Sequence, residues 1–90
     1  MAIYRIWQSP TPTFSAKDID WDEYRNTGWV RANNLNEVFE AGNIGEMHKA
    51  PTADFLRSVS VGDVISTGSR FSPATEYWVV APFGFETFNP

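Results

Sequence analysis

Three carboxylates alternate in Asp18-Ile19-Asp20-Trp21-Asp22, the spacing with which a calcium-binding loop begins. Such a loop needs glycine at its sixth position for a sharp turn and glutamate at its twelfth for bidentate ligation. Those positions hold Glu23 and Trp29, so the stretch reads as a solvated acidic loop. The sole histidine, His48, sits beside Lys49 with Glu46 and Asp54 nearby in sequence. A catalytic base needs a nucleophile and an orienting group within hydrogen-bond reach. Ser58, Ser60, Ser66, Ser69 and Ser72 are present, yet none stands in a Gly-x-Ser-x-Gly elbow. Gly42-Asn43-Ile44-Gly45 lacks the Gly-Lys-Ser/Thr ending of a phosphate loop, and Gly68-Ser69-Arg70 lacks its glycine spacing. No catalytic, cofactor-binding or metal-ligating residue is therefore expected, and the chain reads as non-enzymatic.

The 90 residues make one domain, 1–90. Cysteine is absent, which excludes a disulfide framework and thiolate chemistry. Seven basic against eleven acidic side chains leave a net charge of −4. That balance disfavours a phosphate-backbone binder. A nucleic-acid reading survives only as an alternative, in which Arg5, Arg31 and Trp7 share a sheet face and stack bases. No apolar run is long enough to span a membrane, and the N-terminal residues show no secretory pattern. A cytoplasmic location without membrane contact is expected. Against this plain background stand four Trp, three Tyr and seven Phe. Large aromatics bury about 150–250 Å² each, so a few of them can fill a small core that has no staples.

The elements follow from periodicity. Ile3 to Gln8 alternates as a strand with Tyr4 and Ile6 toward the core, and ends at Ser9-Pro10-Thr11-Pro12. From Asp18 to Glu23 two readings compete, a short helix capped by Asp20 and Glu23 or a loop leading into a strand near Tyr24. A loop or a single turn is preferred, followed by a strand over 29–32. Leu35, Val38 and Phe39 form a helical stripe with Asn34 as N-cap, Glu37 in a capping box, and Gly42-Asn43 as the stop. Residues 45–53 show no period and read as loop; residues 52–57 suit one helical turn. Strands are expected over 61–66 and 76–81, joined by a hairpin loop over 68–75, with a last strand over 85–88. The sum is an α+β domain: an antiparallel sheet of four to five strands with one main helix at about 34–42. Tyr4, Phe39, Phe55, Tyr77 and one of Phe85 or Phe88 fall on expected core faces.

Two stretches carry a family resemblance. Leu35-Asn36-Glu37-Val38-Phe39-Glu40-Ala41-Gly42-Asn43 and Arg57-Ser58-Val59-Ser60-Val61-Gly62-Asp63-Val64-Ile65 resemble the helix and the Ser-x-Ser-Val-x-Asp-Val segment of the YodL-like family. Tyr4-Arg5-Ile6-Trp7 fits the opening strand of that family, and Gly84-Phe85 its aromatic ending. Arg57 departs from a common glycine-histidine pair, and Gly62 from a common serine. The resemblance implies a small accessory protein of bacteria, plasmids or phages and supplies no active site. Physically, Ser58 and Ser60 shape the approach to a strand, Gly62-Asp63 permits a turn or bulge, and Asp63 accepts backbone N–H bonds as a local cap.

The functional expectation is a module that binds an unidentified host or partner protein, as monomer or homodimer, with no cofactor. Interfaces favour aromatic anchors. The candidate contacts are Trp21 and Trp29, the acidic Asp20, Asp22 and Glu23, and Arg70 with Phe71 at a hairpin tip. Packing explains Trp21, Trp29 and Phe71 least well, because they lie beside charges, glycine or turns.

Overall fold

The computed structural model describes residues 2–10, 19–51, 53, 56–68 and 73–90. Asp18, Phe55, half of the turn expected over 52–57, and the hairpin residues Arg70 and Phe71 lie outside them. The elements run β1 (Ala2–Gln8), a 3₁₀ turn (Trp21–Glu23), β2 (Arg25–Ala32), α1 (Leu35–Ile44), β3 (His48–Lys49), β4 (Val64–Thr67), β5 (Tyr77–Ala81) and β6 (Gly84–Phe88). Every strand pair is antiparallel, in the order β3-β2-β1-β4-β5-β6. The α+β class is as expected, but among the described residues the sheet has six strands rather than four or five. The added strand is β3, two residues long, too short to leave a period in the sequence.

Directly opposed residues share a face of an antiparallel sheet, so the register sorts side chains into rows. One row crosses all the strands as His48, Trp29, Arg5, Ser66, Tyr77 and Phe88. The next row, on the opposite face, runs Lys49, Gly28, Ile6, Ile65, Trp78 and Thr87. Helix α1 covers this second face. Its core is Ile6, Val30, Ala32, Val38, Val59, Ile65 and Val80, with Tyr4, Leu35, Ala41, Met47 and Phe85 packed around them. On the first face Tyr24, Val64, Val79 and Phe88 are buried under Trp7, Ile19, Trp21 and Tyr77.

The helix begins as the sequence predicts. Asn34 Oδ1 accepts the Glu37 N–H at 2.9 Å, while Glu37 Oε1 reaches back to the Asn33 N–H at 3.2 Å. Its end is corrected. Gly42 is an interior helical residue, and the stop is Gly45, whose φ of 80° places it in the left-handed region where glycine is least strained. Gly42 serves closeness instead: a Cβ there would stand 2.5 Å from Cγ2 of Val59 and 3.3 Å from Sδ of Met47. The buried helix residues are accordingly Val38 and Gly42, and Phe39 turns out to be 36% exposed rather than a core residue. The helix rolls toward Val59 on its glycine side, which carries Phe39 outward. Strand β2 also starts earlier than expected, at Arg25, and β4 later, at Val64, because Val61-Gly62 forms a turn.

Gly42→Ala sets helix propensity against packing. Alanine gains about 1 kcal/mol in a helix interior, whereas overpacking costs about 1–3 kcal/mol. The expected outcome is net destabilisation, read as a lower urea midpoint at unchanged m-value.

Candidate functional site

The most connected polar constellation lies at the end of β1. Gln8 is fully buried, as are Thr27 and Asp63. Gln8 Nε2 donates to Asp63 Oδ2 at 3.1 Å and to the Arg57 carbonyl at 2.9 Å. Its Oε1 accepts from Thr27 Oγ1 at 2.7 Å and from the Arg57 N–H at 3.3 Å. Thr27 reaches this position because it is the extra residue of a bulge: Ile6 opposes Gly28 while Trp7 opposes Asn26. Asp63 receives Arg57 Nη1 at 2.9 Å and the Ser60 N–H at 2.9 Å, and Arg57 Nη2 donates to the Ser9 carbonyl at 2.7 Å. Asp63 thus caps its own turn: its N–H returns to the Ser60 carbonyl at 3.0 Å, with Gly62 at φ 94° between them. The Tyr24 hydroxyl donates to the Gly62 carbonyl and pins that turn to the residue that leads into β2.

Burial pushes the Asp63 carboxyl above its ordinary pKa, outweighing the Ser60 N–H, Arg57 and Gln8, which favour the charged form. The donors and acceptors of this cluster answer one another, and Asp63 has no exposure through which to meet a substrate. It is a structural lock. His48 is exposed and stacks on Trp29, centroids 4.3 Å apart at 21°.

A second constellation opens to solvent on the face away from α1. There a cleft of about 490 Å³ is lined by Ile3, Arg5, Asn26, Trp29, Ala50, Pro51 and Gly68. Strands β1 and β2 supply its floor, and the segments after β3 and β4 its walls. The lining is mostly apolar with few polar groups, the make-up typical of binding clefts. One of those groups is out of balance. Asn26 Oδ1 is buried and accepts no hydrogen bond; it is the one such side-chain atom among the described residues. A buried acceptor without a donor costs about 1–3 kcal/mol, and native structures hold few of them.

The predicted contact residues separate. Trp29 lines the cleft, and its partly buried ring is held by His48. Trp21 is corrected from a surplus ring to a packed one: it lies 5.0 Å from Trp7, 5.6 Å from Tyr24, 5.5 Å from Tyr77 and 5.4 Å from Phe88. Asp20, Asp22 and Glu23 are exposed around it, and Asp20 Oδ1 accepts the Asp22 N–H at 3.2 Å. Trp21 and Trp29 therefore belong to different regions of one sheet face. Sequence reasoning passed over Asn26, which shows no signal without the bulge that aims it, and Gln8, whose alternation position was visible but whose partners were not. Among the described residues no group of His, Asp and Glu could hold a metal ion, and no helix is long and apolar enough to cross a membrane. No family model, curated protein or solved structure matches the chain.

Asp63→Asn is expected to cost about 1–3 kcal/mol, since it sets an amide NH₂ where an acceptor oxygen meets Gln8, Arg57 and the Ser60 N–H. The sign of its pH dependence follows from linkage. A carboxyl whose pKa is raised on folding binds its proton more tightly in the native state, so its contribution is full below the unfolded value and falls as pH rises through the folded one. The stability gap between the natural protein and Asp63→Asn should be wider at about pH 3 than at about pH 7. Urea unfolding at both values checks this, and a gap that grows with pH would contradict it.

Proposed function

We propose that the protein is a non-enzymatic, cytoplasmic accessory protein of phage or mobile-element type that acts by binding a partner protein. The single observation that carries this reading is the buried, unanswered Oδ1 of Asn26 in an apolar cleft. A partner segment that inserts an apolar side chain between Trp29 and Pro51 and gives a backbone N–H to the Asn26 amide, turned toward the cleft to accept it, satisfies both features at once. The non-enzymatic part is supported by Asp63, a carboxyl whose pKa burial raises, being committed with Arg57 to holding β1 against the loop before β4. The accessory setting is supported by the resemblance of the Arg57 to Ile65 stretch to YodL-like proteins.

A second reading, nucleic-acid binding, has one observation in its favour. Arg5, Trp29 and Arg31 project from the same sheet face, since Arg5 opposes Trp29 and Arg31 opposes Ile3. The net charge of −4 weighs against it.

Asn26→Leu separates binding from folding. It removes an unpaired buried acceptor, so the free protein should gain about 1 kcal/mol in urea unfolding. The same change, like Trp29→Ala, should reduce capture of a partner polypeptide from host lysate about tenfold or more. Capture undiminished in both variants would sink the proposal, and salt-sensitive retention on single-stranded DNA would favour the second reading.

A further inference from the structure

Among the described residues the sheet ends on β6, and the register shows which backbone groups it leaves over. Val80 of β5 gives its N–H to the Asp63 carbonyl and takes the Gly62 N–H on its own, both at 2.8 Å. Its backbone groups are thereby spent on the side away from β6. Phe85, which opposes Val80, consequently turns its N–H and C=O outward, and by alternation so does Thr87. Neither makes a hydrogen bond on that side among the described residues. Natural edges are usually blunted by proline, lysine, bulges or brevity. Strand β6 is five residues of unbroken register, Gly-Phe-Glu-Thr-Phe, and the hairpin tip beside it carries Phe83 at 99% exposure.

We propose that this edge receives an extended, basic segment of a partner protein as a seventh strand. Charge selects that occupant. Glu86 projects from the edge on the aromatic face, opposite Val79. The Trp21 ring, 5.4 Å from Phe88, sets the 3₁₀ turn over the end of the same strand, with Asp20, Asp22 and Glu23 exposed. Glu76 is exposed just before β5. None of these carboxylates has an ion-pair partner among the described residues. The nearby Arg25 directs its guanidinium to the backbone carbonyls of Asp22 and Tyr24. A second copy of the chain fits poorly. Two β6 strands paired antiparallel about Glu86 would oppose like charges and bring the two acidic turns to one face. The incoming strand should alternate, with cations beside Glu86 and apolar side chains beside Phe85 and Thr87 on the other face. This surface and the cleft at β1 and β2 are distinct and can be tested apart.

The test is titration of the isotopically labelled full chain with an alternating lysine–valine heptapeptide and with its glutamate–valine counterpart. The lysine peptide should protect the Phe85 and Thr87 amides from hydrogen exchange. Thr87→Pro removes an outward N–H and no bond to β5, and should weaken binding at least about tenfold. Glu86→Lys should weaken it several-fold and shift preference to the glutamate peptide. The proposal is overturned if neither amide gains protection at millimolar peptide, if both peptides bind alike, or if either variant binds unchanged. Protection that appears without peptide, with dimers in sedimentation, would overturn it in favour of self-association.

Discussion

A carboxylate with no exposure to water must be answered by donors, and meeting that demand at Asp63 fixes the middle of this molecule. The answer draws on distant parts of the chain. Gln8 comes from the end of β1, Arg57 from the loop before β4, and the Ser60 N–H from the turn that Asp63 itself closes. Thr27 joins through Gln8, which makes a bulge in β2 part of the same unit. A chain without disulfides gains here a polar staple that ties β1, β2 and the approach to β4 into one register. The price of such a network is intolerance of partial loss, since each deleted member strands a buried partner.

This lock explains why the fold was legible only in part. The helix cap at Asn34, the alternation of β1 and the three C-terminal strands are local signals, and local signals survive in sequence. The turn before β4 was readable only in part: Gly62 and Asp63 permit a positive φ and a cap, yet the alternation there reads as a strand from Val61. What the sequence hid were consequences of contact. Gly42 resembles a helix stop until Val59 is seen pressed against it. Strand β3 exists because the Thr27 carbonyl takes the Ala50 N–H and Trp29 stacks on His48, neither of which has a periodicity. Trp21 looked like a spare ring beside charges. A single 3₁₀ turn folds it back among the rings of Trp7, Tyr24, Tyr77 and Phe88, burying apolar surface that a chain this short cannot leave idle.

The aromatic excess therefore has a structural use. One sheet face is covered by a helix, and half of the other is covered by rings in place of a second helix. Rings suit this task because the segments that carry them are short: a three-residue turn and strand residues contribute more buried area through Trp and Tyr than aliphatic side chains could. The cover stops short of β2 and β3, where the cleft opens, and does not wrap the outer side of β6.

The positions of the leftover surfaces follow from the same arrangement. Strands β1 and β4 sit centrally and have their ladders satisfied on both sides. The buried network occupies the end of β1 toward the helix face, and Trp7, from the same strand, donates its indole N–H to Ser66 at 2.8 Å on the other face. Unmet bonding capacity is pushed outward. It emerges at Asn26, the residue displaced beside the Thr27 bulge, and along β6, the strand farthest from the lock. The bulge that aims Thr27 into the core is thus also what leaves Asn26 facing a cleft with an oxygen that nothing in the described chain answers.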